Sequence, residues 1–599
     1  MSKNTLRALG VAGTLSLALG GSLGTAALPG VAPAVTLTSD QLETLCQPER
    51  VQAAVSRLAA TAVTVKAITD GPNLPGGTQF TATTATMPAF CQVTGSFVTN
   101  AKAGKTANFL ATFPANWNGR YLQLGCSGLC GNFYVSNAAV PSITVTTQGY
   151  PGQILQKGYA SFATDEGHES LNPREWAVRK DGSVDQEELI DLYYRADKLL
   201  ARMGKEFTLA FYAPVKTAPT RIVRSYFTGC SGGGRDAYVA AAHFPEEFDG
   251  IIGASPYSYL PNSVMAAAFS AAAARSPDAR VTPAHMQLLN PIVNAQCDGL
   301  DGVKDGIIQN PMACNFRPER DLPRCEGDKP GAQCFTKAQI ETVSVFTNGV
   351  TDEQGNVVAT GYSVSELLAK GGGPAGSLAD AVMNLFTYKN DPKFSRADLF
   401  TFRAGGPGQV TAFHAVIPAA EAARIKNEVR MGSGEFAEDA DRLIRLDRKL
   451  LLWSNLSDNT LLPYTGVNYY KQLAARHGGY AKLQRNVRLF LLPGTDHCSI
   501  TSIAPNGFDP LTAIEDWVEK RRPPSLLMAS VANRQFSPGM PGGEAQKFPK
   551  WTMPLCKFPT MARYNGTGDV KDGANWSCPA SDTRMLQVGE SGKQAGVVM

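Results

Sequence analysis

The run Ser225-Tyr226-Phe227-Thr228-Gly229-Cys230-Ser231-Gly232-Gly233-Gly234-Arg235 carries the clearest chemical signal in the chain. A β-prone stretch ends in Gly229-Cys230-Ser231-Gly232-Gly233, and the residues from Arg235 to His243 read as a helix. A serine between two glycines, on a tight turn from strand to helix, is the setting of an activated nucleophile. The glycines have a steric reason: side chains two residues either side of so sharp a bend would collide. The helix that follows would aim its positive end and its free N–H groups at the reaction centre, which favours an oxyanion. Ser231 is therefore the candidate nucleophile.

A serine needs a base, and the base needs an acid to orient it. Leu452-Trp453-Ser454-Asn455-Leu456-Ser457-Asp458 places a carboxylate just past one strand, and Leu489 to Cys498 places His497 just past the next. The order Ser231, Asp458, His497 is the one an α/β-hydrolase fold uses. His497 would take the Ser231 proton, while Asp458 would hold the imidazole tautomer. Asp496 is the rival acid, but adjacency to His497 leaves it poorly placed to reach back to the ring. His168 precedes the nucleophile, which is the wrong order for the base, and reads as part of the pocket wall. His243, His285, His414 and His477 lie in helical or inserted contexts and read as structural. The strand Tyr121–Leu124 runs into Gly125-Cys126-Ser127-Gly128-Leu129-Cys130-Gly131, where glycine lets the backbone approach a substrate. The N–H groups of Gly128 and of Gly232, the residue after the nucleophile, are the candidate oxyanion donors.

The elements that must position these residues alternate in type. Strands are expected at Ala89–Thr99, Ala107–Phe113, Tyr159–Thr164, Phe248–Pro256 and Lys449–Ser454, with helices at Thr38–Val63, capped by Ser39 or Asp40, and at Leu189–Phe211. Roughly 190 residues separate the last two strands, far more than a crossover needs. A domain is inserted there and reads as a lid, with an alanine-rich helix at Ala266–Ala274 and four cysteines. The expected organisation is α/β: a leader over 1–34, an α/β-hydrolase domain over 35–255 and 447–599, and a lid domain over 256–446.

At 599 residues the chain can bury one large core with an insertion. A formal charge of +4 with no dense Lys/Arg run sets aside nucleic acids and polybasic membrane attachment. Lys3 and Arg7 before an apolar run from Leu9 to about Leu28 read as a secretory signal peptide, cleaved after Ala27 or after the Ala32-Pro33-Ala34 triplet. No cysteine follows closely to take a lipid, and no other stretch is apolar enough to span a bilayer, so a secreted or periplasmic protein without a membrane anchor is expected. An exported chain with twelve cysteines implies disulfides. Proximity suggests Cys297 with Cys314, Cys325 with Cys334, Cys556 with Cys578, and Cys126 with Cys130; Cys46 with Cys91 would pin the amino terminus. Cys230 precedes the candidate nucleophile and Cys498 follows the candidate base, so a bond between them is feasible if the three residues assemble.

The arrangement Cys230-Ser231, Asp458, His497-Cys498 resembles the tannase/feruloyl esterase family, which includes MHETase-type esterases. The resemblance runs from Phe90-Cys91 to Ala562-Arg563-Tyr564 and Cys578. It implies the Cys230–Cys498 bond and the other pairings above, with Cys126–Cys130 the least shared among members. It supports Gly128 and Gly232 as oxyanion donors. It also implies a serine esterase for aromatic carboxylic esters, feruloyl or galloyl. Members of MHET type grip a carboxylate with a lid arginine; Lys370 to Ser377 contains none, and Arg403 or Arg424 would have to serve. An exported lipase or peptidase on the same sheet is the other enzyme reading, and a non-catalytic phenolic- or carbohydrate-binding protein the reading from another class.

Cys297-Asp298-Gly299-Leu300-Asp301-Gly302-Val303-Lys304-Asp305-Gly306-Ile307 packs three aspartates among glycines. Its composition suits either a calcium loop or a solvated acidic turn, and the spacing is not that of an EF-hand. The resemblance implies a structural lid calcium, held by the carboxylates of Asp298, Asp301 and Asp305 and the carbonyls of Val303 and Ile307.

Overall fold

Apolar runs without polar alternation, such as Lys449–Asn455 and Val487–Leu492, are suited to strands covered on both faces, and that is where a parallel sheet puts them. The structure is a computed structural model and describes residues 35–60, 65–68, 77–84, 87–131, 153–365, 378–405, 413–432, 440–458, 460–499, 502–531 and 550–579. The expected leader and the stretch Lys370–Ser377 lie outside the described residues.

A ten-stranded sheet carries the molecule. Its strands are β1 (Val65–Ile68), β2 (Thr78–Thr81), β3 (Phe90–Asn100), β4 (Lys105–Pro114), β5 (Arg120–Leu124), β6 (Tyr159–Thr164), β7 (Arg224–Ser231) and β8 (Gly250–Pro256), and, after the insertion, two more. Lys449–Asn455 and Val487–Leu492 complete it; they are β13 and β14, because the insertion holds β9 (Val350–Asp352), β10 (Val357–Ala359), β11 (Thr401–Ala404) and β12 (Phe413–Ile417). The order is β1-β3-β4-β6-β5-β7-β8-β13-β14, with β2 beside β3. From β6 through β14 the pairs are parallel, and at the other end they are antiparallel. β8 pairs with β13 in register from Lys449↔Gly250 to Trp453↔Ala254, so the intervening residues leave the sheet and return beside their point of departure. This is the α/β fold expected from the sequence.

Two expected helices are modified by local chemistry. Thr38–Val63 becomes α1 (Ser39–Leu45) and α2 (Pro48–Ser56), because Pro48 has no N–H to continue the first helix and suits the start of the second. Thr38, rather than Ser39 or Asp40, caps α1, in a capping box with Gln41. Leu189–Phe211 is interrupted by a wide π-type turn at Asp191–Arg195 before α3 (Ala196–Tyr212). There the carbonyls of Leu192 and Tyr193 accept from Arg235 at 2.8 and 2.7 Å, which gives the irregular turn a partner in α4 (Gly232–His243). The buried face of α3, with Leu200, Met203, Phe207 and Phe211, packs on the sheet, where Phe211 stacks on Phe113 with ring centres 4.1 Å apart.

The inserted segment has its own four-stranded sheet, β10-β9-β12-β11. Its alanine-rich residues belong to a longer helix, α5 (Tyr259–Ala274), of which Val264, Met265 and Ala267 are fully buried. Tyr259, Val264 and Phe386 of the insertion share one apolar core with Leu129, Leu189 and Tyr193. All twelve cysteines are paired as the sequence suggested.

Candidate active site

Six loops leave the carboxyl ends of the parallel strands β5, β6, β7, β8, β13 and β14, the edge where open α/β sheets place their sites. Ser231 ends β7 with φ 65° and ψ −122°, a conformation few side-chain-bearing residues adopt. Space explains the flanking glycine: a Cβ on Gly229 would stand 2.4 Å from the Gly233 carbonyl. The Ser231 carbonyl accepts from Tyr257 N–H at 2.8 Å, which ties the bend to the end of β8.

His497 and Asp458 are brought together from the ends of β14 and β13. His497 Nδ1 lies 2.7 Å from Asp458 Oδ2, and the other oxygen of Asp458 accepts from Thr460 N–H (3.0 Å) and Leu461 N–H (2.8 Å). Burial alone would lower the imidazole pKa; the Asp458 carboxylate overrides it and raises it above 6.5. Asp496 accepts from the backbone N–H of His497 at 2.6 Å, and its charge adds to the raising of the imidazole pKa. The Cys230–Cys498 disulfide joins the neighbour of Ser231 to the neighbour of His497 across a separation of 268 residues.

The loop after β5 lies against the first turn of α4. A Cβ on Gly232 would come within 2.5 Å of Gly128 O, so the two backbones touch. Gly125 N–H donates to Thr228 O (3.0 Å) and Gly233 N–H to Cys126 O (2.7 Å). Among the described residues, no hydrogen bond engages the N–H of Gly128 or of Gly232. His168 braces this loop from behind: Nε2 lies 2.7 Å from Leu129 O, and the ring stacks on Trp176 at 3.9 Å. Burial lowers its pKa to about 4, so it is a neutral wall residue.

Two features were not singled out from sequence. Asn455, wholly buried, links three strand ends: its Oδ1 accepts from Ser255 Oγ at 2.8 Å and its Nδ2 donates to Thr495 Oγ1 and Ser499 Oγ at 2.6 and 2.7 Å. A polar residue closing the apolar run Leu450–Trp453 was its only sequence signal. The second is a buried group of Glu166, Asp197 and Asp236 around Arg235, directly beneath the loop after β5. Cys126, Cys130, Glu166 and Asp236 place ligand-type atoms within 4.8 Å of one another, but the two sulfurs are bonded to each other and offer no thiolate.

In the acidic turn each aspartate spends an oxygen on a nearby backbone N–H: Asp298 on Gly306 (3.0 Å), Asp301 on Val303 (3.1 Å), Asp305 on Ile307 (3.0 Å). Oδ2 of Asp301 and of Asp305 is buried without a hydrogen-bond partner. Burial and mutual repulsion push these two carboxyls up to about 7 and about 6. Arg403 donates to Glu353 O (3.4 Å), and Arg424 pairs with Glu421 and covers the Tyr388 ring, all within the insertion. A cavity of about 510 Å³ between β9–β10 and the helix Thr465–Arg476, lined by Asn356, Thr360, Lys426, Asn468 and Gln472 among others, includes none of the candidate catalytic residues.

Against this geometry, comparison with known proteins gives a consistent answer. The sequence pattern of the "Tannase and feruloyl esterase" family matches residues 91–579. The chain is 27% identical over 559 residues to a mono(2-hydroxyethyl) terephthalate hydrolase of Piscinibacter sakaiensis, covering 84% of this chain and 86% of that one. It is 25% identical over 472 residues to a probable feruloyl esterase of Arthroderma benhamiae, covering 78% and 81%. The fold is similar to the crystal structure of feruloyl esterase B from Aspergillus oryzae, with a TM-score of 0.67, 22% identity and coverage of 88% and 100%.

Proposed function

The chain belongs to the tannase and feruloyl esterase family of carboxylic ester hydrolases, and on that premise we propose that it is an exported serine esterase for aromatic esters, with Ser231, His497 and Asp458 as its catalytic triad. The observation that carries the reading is the Asp458–His497 pair, held beside the strained Ser231 by the Cys230–Cys498 bond. Ser231 Oγ attacks the ester carbonyl while His497 takes its proton; Asp458 holds Nδ1 and stabilises the imidazolium. The N–H groups of Gly128 and Gly232 receive the oxyanion. His497 then protonates the leaving alcohol and activates the water that releases the acid.

The substrate class rests on the relatives: feruloyl esterases on one side, a terephthalate monoester hydrolase on the other. Tyr257, whose N–H donates to the Ser231 carbonyl, meets Tyr259 edge to face with ring centres 5.0 Å apart, so aromatic side chains pack next to the nucleophile turn. Arg403 and Arg424 have their partners within the insertion, which favours a neutral phenolic ester over one with a free carboxylate. The buried α5 weighs against a lipase lid.

The acidic turn supports a structural calcium. Asp301 and Asp305 each bury an unpartnered oxygen, the condition a hard cation relieves; Asp298, Val303 and Ile307 would complete the oxygen set. The amino-terminal apolar run and six disulfides, which persist in oxidising compartments, support secretion.

Purified mature protein should release one aromatic acid from methyl ferulate, methyl gallate or mono(2-hydroxyethyl) terephthalate, and Ser231→Ala should abolish that release. Turnover of a long-chain acyl ester alone would refute the substrate class, and activity retained in Ser231→Ala would refute the nucleophile.

A further inference from the structure

We infer that Asp236 is a positioning residue for the oxyanion loop, holding Cys126 by its backbone while the Cys126–Cys130 disulfide closes the loop around Gly128. This rests on the assignment of Gly128 as an oxyanion donor. Asp236 lies in the first turns of α4, five residues after Ser231, and is wholly buried. Its Oδ2 accepts from Cys126 N–H at 3.3 Å, and its Oδ1 accepts from Arg235 Nη1 at 2.6 Å. Gly233 N–H, from the same turn, holds the Cys126 carbonyl at 2.7 Å. Both polar groups of the Cys126 backbone are thus fastened to the helix that begins at the nucleophile. The far side of the loop is fastened as well, at Leu129 O by His168 and at Gly131 N–H by Asp165 O (3.0 Å). Gly128, with φ 62°, is the residue left to face the substrate.

Arg235 sets what Asp236 can do. Its guanidinium spends Nη2 on the carbonyls of Leu192 and Tyr193, covers the Tyr259 ring at 4.8 Å, and leaves Nη1 for Asp236, with Glu166 3.7 Å away. Asp197 closes the group and accepts from Gln123 Nε2 at 2.8 Å. One guanidinium cannot neutralise three buried carboxylates, so the group retains protons: burial pushes Asp236 up to about 7 and Glu166 well above the carboxylate range. The ionised Asp236 carboxylate accepts from both Arg235 and Cys126. An asparagine at 236 would satisfy only one of these donors, because its amide NH₂ must face the other. Loss of the Cys126 bond displaces Gly128 relative to Ser231 without touching the surface that receives the acyl group.

The test is Asp236→Asn in the full mature enzyme. Removing one oxyanion donor typically lowers kcat by about 10²- to 10³-fold, and displacing it should cost about 100-fold in kcat with KM within about twofold. Phenylboronic acid, which forms a tetrahedral adduct on the serine, should lose affinity by the same factor, and 2-methoxyphenol, which has the aryl group without a carbonyl or carboxylate, should bind as before. Cys126→Ala/Cys130→Ala leaves the buried charges in place and should show the same split at about tenfold. It decides the matter if Asp236→Asn does not fold. Unchanged kcat, or parallel loss of boronate and 2-methoxyphenol binding, would overturn the inference. Wild-type enzyme that does not bind phenylboronic acid would overturn the Ser231 assignment first, and this inference with it.

Discussion

The sheet edge that carries the candidate triad and the acidic turn of the insertion both confine carboxylates, and they differ in what the protein supplies to neutralise them. At the sheet edge a cationic or N–H partner stands beside each: Asp458 has His497 and two N–H donors, Asp236 has Arg235, Asp496 caps a backbone amide, and Glu166, whose oxygens accept no hydrogen bond among the described residues, lies 3.7 Å from the Arg235 guanidinium. In the turn, Asp301 and Asp305 are each left with one buried oxygen that accepts no hydrogen bond among the described residues. A buried charge without a partner is costly, so the first region shares one guanidinium and retained protons among its carboxyls, and the second is where the proposed ion would act. A buried guanidinium fixes the geometry of the first; on the proposed reading the stability of the second depends on a ligand.

The largest effect should come from breaking the sheet-edge pairing at Asp458. Asp458→Asn should lower kcat on the order of 10⁴-fold, because the amide favours the wrong imidazole tautomer. His497 must be neutral to act, so the acid limb of kcat/KM in wild type should fall at a pH above 6.5, and in Asp458→Asn, where only the smaller pull of Asp496 opposes burial, it should move to lower pH. Asp496→Asn should leave kcat in place and lower the acid limb only slightly, since Asp496 acts on the imidazolium by charge and makes no hydrogen bond that fixes the tautomer. A pH–rate profile of the three proteins decides between the two acids.

Next is the guanidinium. Arg235→Met should cost about 3–5 kcal/mol in chemical denaturation, the effect of leaving buried carboxylates without their counter-ion. Calcium should not restore it; a calcium-dependent rescue would erase the distinction between the two regions.

The smallest effect sharpens the comparison most. Calcium at a hundredfold excess over its Kd should stabilise the enzyme by about 2.7 kcal/mol, and EDTA should remove that with little change in kcat of the folded protein. Asp301→Asn should reverse sign with the ion: destabilising in calcium, neutral or stabilising in EDTA, where it removes an unpaired buried charge. Melting curves identical with calcium and with EDTA would refute the ion.

Much of the sheet was legible in the sequence because it is written in short runs. Tyr159–Thr164 is a strand with the expected bounds, and the ends of β13 and β14 place Asp458 and His497 together as chain order implied. The errors lie where one contact outweighs local preference. Pro48 splits the first helix, and the turn at Asp191–Arg195 widens beside Arg235, more than thirty residues downstream. The role of Asn455 is not legible in the sequence because its three partners, Ser255, Thr495 and Ser499, come from two other strand ends.

By itself the sequence determined the turn around Ser231, the order of the candidate triad and the pairings of cysteines close in the chain. These depend on backbone sterics at Gly229 and Gly233, on strand-end position and on chain proximity, all local properties, whereas Cys230–Cys498, 268 residues apart, depends on the strand ends coming together. Only the tertiary structure decided which carboxylates would be neutralised from within. Arg235 and Asp236 are neighbours in sequence, yet their roles depend on Glu166, Asp197 and Cys126, drawn from three other elements. The cost of a buried charge is set by everything packed around it, and that sum is not written in any short stretch of chain.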